Sequence, residues 1–106
     1  MYKNSLVENI IYHITTGEEW SKAMAQGFYK ASSLAVEGFI HCSTATQVEG
    51  VLLRYFAGKT DLVKLTIDTS KLQAKLQFEL SPSVNEGFPH IYGTINLEAV
   101  IDVNPL

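Results

Sequence analysis

Gly38-Phe39-Ile40-His41-Cys42-Ser43-Thr44-Ala45-Thr46 is the stretch on which the reading of this chain turns. Its alternation predicts a strand over Gly38 to Ser43, with Phe39, His41 and Ser43 on one face and Ile40 and Cys42 on the other, because successive strand side chains point to opposite faces. Ser43 or Thr44 then caps a helix, since Gln47 stands at the capping-box distance from Thr44. Val48, Val51, Leu52, Tyr55 and Phe56 follow at i, i+3, i+4, i+7 and i+8, an apolar helical stripe that Gly58 ends.

Upstream the same design occurs once already. Ile10 to Thr15 alternates as a strand, with Ile11, His13 and Thr15 on one face and Ile10, Tyr12 and Ile14 on the other. Thr16 with Glu19 reads as a capping box for a helix over about Gly17 to Gln26, whose stripe is Trp20, Ala23, Met24 and Phe28 and whose stop is Gly27. Met1 to Asn9 reads as a loose lead-in, and Tyr29 to Glu37 as a connection with a short strand or turn around Ala31 to Leu34. Downstream, Asp61 to Asp68 alternates Val63, Leu65 and Ile67 against Leu62, Lys64 and Thr66. Lys75 to Ser81 alternates Leu76, Phe78 and Leu80 against Lys75, Gln77 and Glu79, and is expected to be its antiparallel neighbour. Pro82 to Pro89 is expected to be a loop, with a turn near Asn96 and a last strand over Val100 to Asn104. Strand, helix, strand, helix and then only strands predicts a single α+β domain, helices on a mostly antiparallel or mixed sheet.

Composition narrows the function classes. A formal charge of −3 and a single arginine, Arg54, speak against a grip on a nucleic-acid backbone, which needs clustered cations. One cysteine, Cys42, rules out an internal disulfide and a Cys-rich zinc site. The N-terminus has no signal-peptide core, and no window approaches the ~20 apolar residues of a membrane span, so a cytoplasmic protein that engages neither membrane nor nucleic acid is expected.

The residues that could carry chemistry are the histidines. His13 and His41 sit at two strand ends, each followed two positions later by a hydroxyl, Thr15 and Ser43. Imidazole titrates near neutrality, so the pair suits proton transfer or recognition of sugar hydroxyls; it also suits two half-buried rings satisfied by backbone carbonyls. His90 follows the Pro-Gly stretch, where it lies either at the rim of a pocket or in a surface loop. The separation of the three along the chain matches no local metal motif, and no metal is expected. Cys42 alternates away from His41, which makes it a packing residue. Ser43 and Thr44 are accounted for by capping, and the free donors of the helix start beside His41 would also suit an anion. Phe39 and Tyr92 are the aromatics best placed to stack on a ring. Glu37, Glu49, Glu79 and Glu86 are all available acids, with no pattern that selects one.

Tyr12-His13-Ile14-Thr15, Glu37-Gly38-Phe39-Ile40-His41-Cys42-Ser43-Thr44 with Gln47, and Phe88-Pro89-His90-Ile91-Tyr92-Gly93 together resemble a small, mostly bacterial family, domain of unknown function 952, over about Ile10 to Pro105. That family is similar in fold to the ADP-ribosyltransferases, whose split α+β fold holds NAD in a cleft between two small sheets. The resemblance implies a first-strand histidine, His13 with Thr15, on a ribose hydroxyl, with Ile14 where those enzymes have glycine. It implies Ser43, Thr44 and the helix start facing the pyrophosphate, and His41, Phe39 or Tyr92 against the nicotinamide. The glutamate that orients the acceptor there has no counterpart here; His90 and Tyr92 lie in that region. On this basis His13, His41 and His90 are the catalytic candidates, Thr15, Phe39, Ser43, Thr44 and Tyr92 the binding candidates, NAD the cofactor and a small-molecule nucleotide the partner, with the acceptor unspecified.

Two other functions compete. His13-Ile14-Thr15 and His41-Cys42-Ser43 also match the His-x-Thr/Ser pair of two-histidine phosphoesterases, in which both imidazoles act on a cyclic phosphate. A non-catalytic binding domain with the same hollow is the third. All three require His13 and His41 to open into one cleft.

Overall fold

β-Branched side chains alternate along Ile10–Thr16, and this segment is strand β1 of the computed structural model, which describes residues 9–81 and 84–106. The lead-in over residues 1–8 and the positions Pro82 and Ser83 lie outside the described residues. Thr16 closes β1 in an extended conformation and its hydroxyl accepts from the Glu19 N–H at 3.1 Å, which caps helix α1 (Gly17–Gln26) at the expected boundaries. Gly27 stops the helix at φ +94°, its N–H donating to the Ala23 carbonyl at 2.8 Å. Ala23 is buried and Trp20 packs on the core, but Met24 is 56 % exposed. The stripe is narrower than expected because α1 covers the edge of the core, not its centre.

Chain direction then reverses quickly. Strand β2 (Phe28–Tyr29) leads into helix α2 (Ser32–Glu37), where a strand or turn around Ala31 to Leu34 was expected; Leu34 turns its side chain onto the core and Gly38, at φ +88°, ends the helix. Strand β3 is only Ile40–His41. The longer strand over Gly38 to Ser43 does not form because Gly38 is consumed as the α2 cap and the chain changes sheets at its other end. Cys42 still donates to the Pro89 carbonyl at 2.9 Å, and Ser43 then exchanges backbone hydrogen bonds with Tyr12, both 2.7 Å.

The Gln47 side chain accepts from the Thr44 N–H at 3.0 Å and donates to the Gly87 carbonyl at 2.7 Å. That capping box opens a 3₁₀ turn (Ala45–Gln47) before helix α3 (Val48–Tyr55). Tyr55 is 56 % exposed and α3 has no buried residue, so its apolar stripe serves a surface cleft and not the core.

Five strands complete the domain: β4 (Leu62–Asp68), β5 (Lys75–Ser81), β6 (Glu86–Tyr92), β7 (Ile95–Asn96) and β8 (Val100–Pro105). They assemble into three antiparallel sheets, ordered β1-β4-β8, β2-β7 and β3-β6-β5. The expected pairing of β4 with β5 is therefore wrong. A strand has two edges, and those of β4 are taken by β1 and β8; the 3₁₀ turn at Thr69–Lys71 carries the chain away, and β5 pairs with β6 from Lys75 opposite Tyr92 to Ser81 opposite Glu86. Two further corrections follow. The second half of the Pro82 to Pro89 loop is strand from Glu86 onward, and Asn96 sits in β7, opposite Phe28, and not in a turn. Phe78 and Leu80 face solvent, because no layer covers that side of β5 beyond Leu76.

The core lies between the sheets and comprises Ile11, Ile40, Leu65, Ile67, Ile91 and Ile95, all essentially inaccessible, with Ala23, Tyr29, Cys42 and Ala99. Among the described residues no helix is long and apolar enough to cross a membrane. Substituting Gly27→Ala places a β-carbon at a positive φ and is expected to remove about 1 kcal/mol of stability. Urea denaturation should register it as a lower midpoint with an unchanged slope.

Candidate functional site

Where β1 and β3 meet, the sequence places His13 and His41 on chains joined by the Tyr12–Ser43 bridge. The two rings line one cleft of about 830 Å³, together with Thr15, Tyr29, Phe39, Ser43 and His90. The shared hollow required by the sequence thus exists, but the histidines occupy it differently.

His13 is buried, and both of its ring nitrogens have protein partners. Nδ1 lies 2.6 Å from the His41 carbonyl and Nε2 lies 2.8 Å from the Tyr29 hydroxyl, which is 2.9 Å from the Thr15 hydroxyl. A carbonyl only accepts, so Nδ1 carries a proton. Burial pushes His13 down to about 4, against the opposing pull of the His41 carbonyl, so the ring is neutral at physiological pH and Nε2 is a lone pair. Tyr29 has one proton; with a neutral ring it is donated to Nε2, and with an imidazolium Nε2–H donates to Tyr29 and Tyr29 to Thr15. Burial also pushes Tyr29 up to about 12, so the phenol stays protonated. Both ring nitrogens of His13, expected with Thr15 on a ribose hydroxyl, are thus engaged within the protein. His13 and Thr15 form the polar floor.

His41 stands at the rim with its side chain about half exposed, and Nε2 lies 2.5 Å from Glu37 Oε1. Glu37 ends α2 four residues earlier, and the Gly38 cap returns the chain so that the two side chains meet. His90 is opposite His41 across the β3–β6 pair, and the ring centroids are 5.2 Å apart. It is a buried strand residue, not a loop histidine. Its Nδ1 lies 2.7 Å from Glu79 Oε1, and the same oxygen accepts from the Tyr92 hydroxyl at 2.5 Å. The strand register explains the contact: Gln77 is directly opposite His90 and Glu79 is its diagonal neighbour, within reach of a long side chain. Tyr92 first and His90 second hold the Glu79 carboxyl below the ordinary carboxylate range, and Glu79 in turn raises Tyr92. Phe39 stacks on His90 at 4.0 Å and 16°, and meets His41 edge-on at 4.9 Å.

Of the binding candidates, Thr15, Phe39 and Ser43 line the cleft; Thr44 and Tyr92 do not. Thr44 is occupied as a cap, and it opens a single 3₁₀ turn whose few donors do not make the anion site expected there. Tyr92 acts behind His90 through Glu79. Cys42 is buried and burial pushes its thiol up, as befits a packing residue. Tyr29 emerges only here, and Glu37 and Glu79 are singled out only here from the four available acids. Glu37 at four residues before His41 was a visible spacing; the Glu79 contact depends on β5 pairing with β6, and Tyr29 lay in a segment without pattern. Among the described residues no group of three or more His, Cys, Asp or Glu is placed to hold a metal ion. The lining includes two carboxylates, Glu19 and Glu37, and, among the described residues, no lysine or arginine.

Because His13 binds a proton more readily when unfolded, the unfolded state takes up protons as pH falls from about 6.5 to about 4, and stability falls over that window. The loss is expected to be on the order of 3 kcal/mol. Denaturant titrations at pH 7, 5 and 4 should show it in the wild type and lack that component in His13→Gln, which starts from a lower stability at pH 7.

The sequence model of a family described as "Protein of unknown function (DUF952)" matches residues 14–103. No curated protein matches the chain. Among solved structures, the crystal structure of protein CC0527 from Caulobacter crescentus is similar at 30 % identity and a TM-score of 0.80, covering 89 % of this chain and 82 % of that one. The solution NMR structure of CC0527 is similar at 30 % identity and 0.79, covering 92 % and 84 %.

Proposed function

This chain belongs to the DUF952 family, and from that premise we propose that its cleft binds a nucleotide of the NAD or ADP-ribose type and serves chemistry at the bond between ribose and base. The observation that carries the proposal is the convergence of His13, His41 and His90 with Phe39 on one cleft between separately hydrogen-bonded sheets. Its volume falls within the ~300–1,000 Å³ of small-molecule sites. The likeness of its motifs to the ADP-ribosyltransferases, the source of the single-domain, split-sheet expectation, supplies the ligand class. In this reading the base packs against Phe39 and His41, and the ribose lies over Thr15, Tyr29 and Ser43.

Charge separates this function from phosphoester cleavage. Attack on a cyclic phosphate concentrates negative charge on phosphoryl oxygens, which cations or aligned donors must meet. Rupture of a glycosidic bond develops positive charge on the sugar, which carboxylates and an aromatic face accommodate. Glu19, Glu37 and Phe39 suit the second. The engagement of both His13 nitrogens also removes one of the two free imidazoles that the phosphoesterase needs.

NAD or ADP-ribose is expected to raise the melting temperature, and a 2′,3′-cyclic nucleotide to leave it unchanged, since a ligand at 100 times its Kd adds about 2.7 kcal/mol to native stability. Phe39→Ala should weaken binding roughly tenfold, in line with the loss of one base–aromatic stack. Absence of both a melting shift and calorimetric heat with NAD and with ADP-ribose would overturn the proposal.

A further inference from the structure

Two histidines border the cleft with a carboxylate attached, and only one is built as a base. At His41 the attached carboxylate is Glu37, itself part of the cleft lining, and the side chain is half exposed. At His90 the carboxylate lies behind the ring. Glu79 and Tyr92 are not part of the lining, whereas His90 is. Glu79 Oε1 takes the Nδ1–H and is held in place by the Tyr92 hydroxyl, so the second nitrogen, Nε2, is the one left for a ligand or water. Among the described residues Nε2 has no hydrogen-bond partner, and it is not sealed from solvent. The Phe39 stack fixes the ring plane. An imidazole with its rear nitrogen tied to a carboxylate and its front nitrogen open is the arrangement by which enzymes take a proton from a nucleophile.

We propose that His90 is the general base of this cleft, that it activates water, and that the protein is therefore a hydrolase of the N-glycosidic bond of an NAD-type nucleotide. The inference rests on the binding proposed above and adds the acceptor and the residue that prepares it. The step balances without a further reactant. His90 Nε2 takes one proton from water, the water oxygen bonds to the ribose anomeric carbon, and the carbon–nitrogen bond breaks with its electron pair returning to the nicotinamide ring. Nicotinamide leaves neutral, and the proton on His90 passes to solvent. Glu79 and Tyr92 are positioning residues that hold the tautomer and orientation. The charged and titratable groups facing His90 are Glu79 on β5, Tyr92 on its own strand and His41 on β3, the last bearing Glu37.

The test incubates the full chain with NAD and quantifies nicotinamide and ADP-ribose by chromatography. Equal amounts of the two are expected. His90→Gln keeps a donor for Glu79 but offers no basic nitrogen; it should lower kcat at least 100-fold, the usual contribution of a general base, with KM within about threefold. Glu79→Gln should lower kcat roughly tenfold with unchanged KM, and decides the matter if His90→Gln does not fold. Binding of NAD without release of nicotinamide, or unchanged kcat in the folded variants, overturns this inference alone. Failure of the wild type to bind NAD overturns the binding proposal and this one with it.

Discussion

The domain depends on a stitch between two sheets that otherwise share no strand. Tyr12 in β1 and Ser43 just past β3 exchange backbone hydrogen bonds, and the His13 ring, one residue on, holds the His41 carbonyl. This part-buried hydrogen bond is worth about 1 kcal/mol, so a side chain that supplies the donor helps to fix where the sheets meet. His13 is the only one of the three histidines used in this way, and its neutrality follows from the same burial that makes the stitch strong. The cleft is the space left where the two sheets diverge from that point.

From this geometry comes a division of labour among three residues of one type. His13 is structural, with both ring nitrogens engaged at the floor of the cleft, His41 is exposed and paired with an acid of the rim, and His90 is tied at its rear to Glu79 while its ring lines the cleft. The Phe39 ring holds the latter two in a fixed relation, with His90 stacked and His41 edge-on. A lining with carboxylates and without lysine or arginine among the described residues favours positive over negative charge in the cleft. Low dielectric at the buried floor enlarges that preference.

Local signals were read from the sequence where one residue's neighbours decide its conformation. Thr16 with Glu19, Gly27, and Thr44 with Gln47 terminate or begin elements through contacts a few residues apart, and they do so here. Alternation also located β1, β4 and β5, because a strand buried on one face writes its period into the chain. The same period failed for the burial of Phe78 and Leu80, since whether a face is covered is decided by what packs on it.

What the sequence determined by itself was therefore the α+β class, the ends of α1, the inward face of Ile40 and Cys42, and the choice of His13 and His41 as the residues to watch; that the two border one hollow was settled by the tertiary structure. Tertiary structure alone decided that β5 pairs with β6, and so that Glu79 stands behind His90. It likewise decided that Tyr29 closes the second nitrogen of His13. These contacts join residues 11 and 16 positions apart through sheet register and packing, and no local spacing encodes a register that is settled by which strand edges remain free.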